Sequence, residues 1–125
     1  MSHIEQYYEV IERILELLDT LEEGISYAGE QSAELQYEDA LVTLNDVMEG
    51  IISIFNAMKP MRNEMEKNNI DTLLADIEAA MRKVVDSYEQ DRKFYLEREI
   101  TEEVLPYFKN WKHEVERVLK LYIAS

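Results

Sequence analysis

The chain carries two imidazoles and no thiol: His3 and His113 are its histidines, and cysteine is absent. Without cysteine there is no disulfide framework, no thiolate metal site and no cysteine nucleophile. A carboxylate-bridged dimetal centre in a helical protein needs Glu-x-x-His motifs on two helices, turned inward. Three residues before His113 stands Asn110, so that motif is missing. His113 follows Lys112 and falls off the apolar positions Phe108, Trp111 and Val115. General-base work would require an orienting acid, and Glu114 and Glu116 point to other helix faces. No Gly-x-Ser-x-Gly elbow and no phosphate-cradling glycine loop occurs. The expectation is a chain that is not an enzyme, with no catalytic, cofactor-binding or metal residue and no small-molecule substrate identified.

Carboxylates dominate instead. There are 27 acids against 13 bases, a net charge of −14. Residues 1–60 hold thirteen acids against Arg13 and Lys59, so most of the excess lies in the first half. Glu5, Glu9, Glu12, Glu16, Asp19 and Glu23 recur beside the apolar positions of the first segment. That face is either a solvated surface that keeps the protein soluble or a docking face for a basic partner. Arg82, Lys83, Arg92, Lys93, Arg98, Lys109, Lys112, Arg117 and Lys120 offer an internal or homo-oligomeric counterpart. Nucleic acid is not an expected partner, because its phosphates repel such a chain.

Aromatic residues form the second cluster. In an up-down bundle Tyr27, Tyr37, Tyr88, Phe94, Tyr95, Tyr107, Phe108 and Trp111 collect at one pole. One expectation is a bulky core layer with hydroxyls reaching water. The other is an interface anchor formed by Tyr27, Tyr37, Tyr95, Tyr107 and Trp111, since Tyr and Trp dominate binding hot spots.

The elements that position these residues are helical throughout. Ile4, Tyr7, Ile11, Ile14, Leu18, Leu21, Ile25 and Ala28 recur at spacings of three and four. Tyr37 to Met58 repeats the pattern; so do Ile70 to Tyr88, which then slips to polar Asp91, and Val104 to Tyr122. Asp91 is the one acid that this spacing turns inward. Gly29–Gln36 reads as the first turn. Pro60 stops or kinks the second helix, and residues 61–69 are either loop or a short helical piece. Near Thr101–Pro106 either the fourth helix kinks, or the third runs on and the fourth begins at Pro106. Gly24 and Gly50 lie inside helices and predict a close contact between the first two, with Gly50 opposite Leu17 and Gly24 opposite Thr43. Met58, Met61 and Met65 around Pro60 suit an adaptable apolar surface or a gap-filling role in the core.

The 125 residues make one domain. The expected fold class is all-α: an antiparallel up-down-up-down four-helix bundle spanning 1–125, with a kink or break near Pro60 and near Pro106. The alternative is a pair of long hairpins that complete their core by dimerising. Met1–Glu5 lacks a basic and apolar leader, and the apolar run Gly50–Phe55 is too short for a bilayer. The expectation is therefore a cytoplasmic chain without a membrane partner, working with a protein partner or as a homo-oligomer.

Tyr37-Glu38-Asp39-Ala40-Leu41 resembles the opening of a tetratricopeptide repeat, but nothing echoes it about 34 residues later. Together with Glu23-Gly24-Ile25 and Glu49-Gly50-Ile51 it resembles small, acidic, all-helical bacterial proteins of unknown function. In size and acidity the chain is also similar to flagellar and secretion export chaperones. That second resemblance implies a bundle that holds a partner's helix.

Overall fold

The computed structural model describes residues 7–123. His3, Ile4 and Glu5 lie outside them. Helix α1 is Tyr8–Ala33, α2 is Tyr37–Met58 and α3 is Ile70–Glu89. Helix α4 is built of three consecutive pieces: Leu96–Glu99, a π-helical turn Ile100–Val104, and Leu105–Lys120. A 3-10 segment, Lys59–Glu64, follows α2, and a shorter one, Lys93–Tyr95, leads into α4. No strand occurs among the described residues, and the all-α four-helix bundle expected from the spacing is what forms.

The helices run antiparallel in sequence order. Helix α1 is the hub: α2 packs along it, and α4 packs on its other flank. Helix α3 leans on α4, whereas α2 and α3 meet only sparingly. The continuous core includes Ile11, Leu18 and Ile25 of α1, Ile51 and Ile54 of α2, Ile77 and Val84 of α3, and Phe108 and Trp111 of α4. Met58 and Met61 are buried in it as gap-fillers, so only Met65 of that trio keeps partial exposure.

The first turn is shorter than the polar composition of Gly29–Gln36 predicts. Helix α1 continues through Gly29 to Ala33. The Gln36 N–H donates to the Gln31 carbonyl at 2.8 Å and the Leu35 N–H to that of Ser32 at 3.0 Å. This is the paired-bond helix stop that normally places glycine in the left-handed position; here Leu35 occupies it, at φ 64°. The end of α3 repeats the device. Arg92 N–H donates to the Ser87 carbonyl at 2.8 Å, and Asp91 takes the left-handed residue at φ 60°. Asp91 is therefore exposed at a helix stop, not turned into the core as the spacing suggested.

Gly29 owes its place to packing. A Cβ there would lie 2.9 Å from Cγ2 of Thr101 on α4. A Cβ on Gly24 would lie 2.9 Å from Cγ2 of Val47, and one on Gly50 2.6 Å from Cδ2 of Leu21. The close α1–α2 approach expected from the helical glycines is present. Its register is one turn away from the pairings Gly50–Leu17 and Gly24–Thr43, because the turn lies at residues 34–36.

The π turn resolves the ambiguity around Pro106. Leu96, Ile100, Val104 and Phe108 are all fully buried, at a strict spacing of four. In an α-helix each such step overshoots a full turn by about 40°, so three steps would rotate the stripe by about 120° out of the core. A π turn inserts about one residue, or about 100°, and returns Phe108 to the interior. Pro106, which has no N–H to donate, follows directly at the head of the last piece. Helix α4 thus starts at Leu96, earlier than either Thr101 or Pro106. Residues 59–64 form a 3-10 turn and 65–69 an irregular link. Asn68 Oδ1 accepts the Ile70 N–H at 3.0 Å and Glu114 Oε2 accepts the Asn69 N–H at 3.0 Å, which secures the entry to α3.

Two expectations follow for stability. Gly24→Ala and Gly50→Ala each gain about 1 kcal/mol of helix propensity and each cost about 1–3 kcal/mol of overpacking. Leu21 can swing its flexible end aside, but Val47 is β-branched with one favoured rotamer. Gly24→Ala should therefore be the less stable of the two by about 1 kcal/mol in denaturant titrations; the reverse order would contradict the packing described. Leu35→Gly should raise stability by about 0.5–1 kcal/mol, since Leu35 is exposed and leaves the left-handed strain behind. A lowered denaturation midpoint for that variant would show that the leucine side chain does more than occupy the turn.

Candidate functional site

The acidic face stands along α1. Glu9, Glu12, Glu16, Asp19 and Glu23 are all exposed, and Glu5 lies outside the described residues. One lysine of the second half reaches it. Lys112 Nζ of α4 lies 2.7 Å from Asp19 Oδ1 and 3.0 Å from Glu22 Oε1, with its side chain only 13% exposed. The hydrogen bond from Lys112 and its charge hold the Asp19 carboxyl below the usual carboxylate range. The bond to Asp19 raises the Lys112 ammonium in turn. Glu22, half-buried, escaped the reading of the acidic stripe because it sits between that stripe and the core positions. His113 is exposed, and no group of acids and histidines able to hold a metal occurs among the described residues.

The aromatic residues divide. Trp111 is fully buried, its ring 5.8 Å from that of Phe108, so it belongs to the core and not to a surface anchor. It is drawn inward because it lies on the stripe of Phe108 and Val115. Tyr27, Tyr95 and Tyr107 are exposed and Tyr37 is half-buried. Phe94, the most exposed of the aromatics, stacks obliquely on Tyr95 with centroids 4.4 Å apart.

The sparing contact between α2 and α3 leaves a groove of about 320 Å³. Leu41, Leu44 and Met48 of α2 and Met81 and Val85 of α3 give it an apolar floor, with Asn45, Arg82 and Asp86 as the polar members. Contacts between the two helices flank it on either side. At the aromatic pole the Tyr88 hydroxyl donates to Glu38 Oε1 at 2.7 Å, tying α3 to α2. That bond lowers the Glu38 carboxyl and raises the Tyr88 phenol from their ordinary values. At the other pole Phe55, Met58, Met65 and Ile70 surround a small cavity of about 30 Å³, and the Arg62 guanidinium lies 5.1 Å from the Phe55 ring centre.

Helix α2 is more apolar than its burial requires. An 18-residue stretch within Tyr37–Glu64 has a mean hydropathy of 1.2, enough for a membrane span by length and composition, yet only 28% of that stretch is buried. Val42 and Ile52 are exposed, and Leu41, Met48 and Phe55 are half-buried. The apolar spacing places Leu41, Leu44, Met48, Ile51 and Phe55 on one stripe of α2 and Val47, Gly50 and Ile54 on the stripe toward α1, and neither accounts for Val42 and Ile52. The signal was present in Leu41-Val42 and Ile51-Ile52, adjacent apolar pairs that no single helix stripe can bury together.

A family model described as "Domain of unknown function (DUF8042)" matches residues 9–114. No curated protein and no solved structure matches the chain.

The Lys112 clasp makes a pH-dependent expectation. A carboxyl held low in the folded state adds stability above its unfolded pKa, and this is lost as pH falls through the lowered folded value. Lys112→Met keeps the stem but removes the charge. It should lower the melting midpoint at pH 7, and the gap from the parent should begin to shrink near about pH 4, where unfolded aspartate protonates, and close as pH falls through the lowered folded value. A gap that persists undiminished in acid would assign the effect to packing of the stem.

Proposed function

The chain belongs to this family of domains of unknown function, and from that premise we propose that it is a non-catalytic protein–protein interaction module. Its α2–α3 groove receives the apolar face of an amphipathic, basic helix. The observation that carries this is the surplus of apolar surface on α2 beside a groove that α3 does not fill. A helix laid into such a groove presents apolar anchors at i, i+3, i+4 and i+7, with the flanks meeting the rim. Charge selects the partner's sign. Glu38, Asp39, Asp46 and Glu49 are exposed on α2, which carries no base between Tyr37 and Met58. Those acids disfavour an anionic membrane as the occupant. The likeness to export chaperones, proteins that hold a partner's helix, thereby acquires a defined face.

The test is a titration with an amphipathic Leu/Lys peptide of about five helical turns, or 18 residues, followed by amide chemical shifts. A Leu/Glu peptide of the same pattern is the control. The expected shifts cluster at Leu41, Asn45, Met48, Met81 and Val85, and Met48→Glu weakens the affinity about tenfold or more, or about 1.4 kcal/mol. Met48 is half-buried at the groove, so the variant's melting curve shows whether the fold is kept. Shifts confined to Glu9–Glu23 would mean attraction to the acidic face alone and overturn the groove. Binding to vesicles of neutral or anionic phospholipid through the same residues would replace the protein partner by a membrane.

A further inference from the structure

A second cavity lies on the other side of α3, between its C-terminal half and the start of α4. Its volume is about 440 Å³, and it is lined by polar and charged residues, among them Asp86, Ser87, Arg92, Tyr95 and Glu99. Glu99 is the unusual member. It is only 6% exposed, whereas the other Asp and Glu side chains among the described residues stand at the surface or are half-buried. The Ser87 hydroxyl donates to its Oε2 at 2.9 Å, and no protein group bonds its buried Oε1. A carboxylate oxygen withdrawn from water without a donor is costly, and a hydrogen bond to a cationic group is among the strongest remedies. The π turn begins at the next residue, Ile100, and rotates α4 beside the cavity; such turns recur at functional sites.

The surrounding charges narrow what fits. Lys83 is committed to Glu103 at 2.9 Å and Arg98 to Glu102 at 3.1 Å. Arg92 meets the neutral side chain of Gln90 and forms no ion pair among the described residues. Asp86 forms none either. The cavity therefore offers one buried carboxylate oxygen without a donor, on Glu99, with the exposed carboxylate of Asp86 beside it, and one exposed guanidinium without an ion-pair partner, Arg92; the Lys83 ammonium also attracts Glu99 but is hydrogen-bonded to Glu103. We infer that it is a binding site for a small zwitterion, a free amino acid, whose ammonium is received by Glu99 and whose carboxylate is received by Arg92. Tyr95, exposed at the rim, supplies a ring against which the ligand's side chain can lie. A purely cationic ligand would leave Arg92 unanswered, and a purely anionic one would face the buried carboxylate.

Three probes separate these cases: pools of the free L-amino acids, n-butylammonium and butyrate, each titrated while amide shifts are followed. The expected result is that at least one amino acid moves Ser87, Arg92 and Glu99 together, while n-butylammonium and butyrate bind about tenfold more weakly or worse. Glu99→Gln should reduce the amino acid's affinity about tenfold or more. Arg92→Ala, at an exposed position outside the helices, keeps the assay decisive if Glu99→Gln does not fold. It should weaken the amino acid and leave n-butylammonium unchanged. Silence from every amino acid, or equal binding by n-butylammonium, would overturn the inference. So would affinity that survives both substitutions.

Discussion

The close approach of α2 to α1 is the constraint on which the rest of the molecule depends. It exists because Gly24 and Gly50 leave room for Val47 and Leu21, the second by less than a methyl's clearance. Gly29 does the same on the flank that faces α4. All three glycines of the chain therefore lie at contacts of α1, each accepting the helical penalty of about 1 kcal/mol. A helix that takes one neighbour so tightly on each side becomes the hub, and its apolar face, Ile11, Leu18, Ile25 and Ala28, is wholly covered. The consequence falls on the opposite side. Helix α3 docks on α4, and its direct contacts with α2 are sparse, with a tyrosine–carboxylate bond at one end and a small methionine-lined cavity at the other.

Polar groups concentrate where the helices begin and end near the aromatic pole. Gln31, Ser32, Ser87 and Glu99 are the buried polar residues of the described chain, and all four come from the last turns of α1 and α3 or the first of α4. Two are answered: the Thr43 hydroxyl donates to Gln31 Oε1 at 2.7 Å, and Ser87 donates to Glu99. Ser32 Oγ and Glu99 Oε1 are not. Buried polar atoms of this kind reduce stability relative to an apolar core. Their concentration at one pole contrasts with the uniformly apolar interior of the middle layers, where Trp111 Nε1 is the unbonded exception. The Lys112 clasp sits further along α1 and is a different kind of polar contact, holding α4 to the acidic helix at the surface.

The parts of this architecture that follow from periodicity were legible in the residues. Four amphipathic segments with stripes at three and four residues describe the four helices, and two interior glycines mark the close contact between the first two. What was obscure has a local physical cause in each case. Leu35 and Asp91 adopt a conformation usually reserved for glycine, so neither helix stop carried its normal marker and the turn after α1 was drawn too long. The stretch Leu96–Phe108 breaks the α-helical count because a π turn carries it, and a period of 3.6 residues per turn places its start several residues late. Glu99 was hidden by the same slip: in the wrong register it is one more surface acid. Trp111, by contrast, sat on a legible stripe with Phe108 and Val115, and that stripe, not its residue type, decided its place in the core.

Helix α3 is where the two candidate sites meet. Its buried stripe, Ile70, Leu74, Ile77, Ala80 and Val84, faces the core. Met81 and Val85 line the apolar groove toward α2, while Lys83 and Ser87 line the polar cavity toward α4. Asp86 borders both. A helix packed on one stripe with open space on each flank has fewer contacts to break when it shifts than α1, which is packed on two sides. Filling either cavity adds contacts on that flank alone and so bears on the position of α3 as a whole. Tyr88 limits the movement, since its hydroxyl holds α3 to Glu38 of α2 while the Lys93 ammonium lies 4.9 Å from its ring. The groove, the cavity and this tether are thus three consequences of one arrangement: a helix committed to the bundle along a single face.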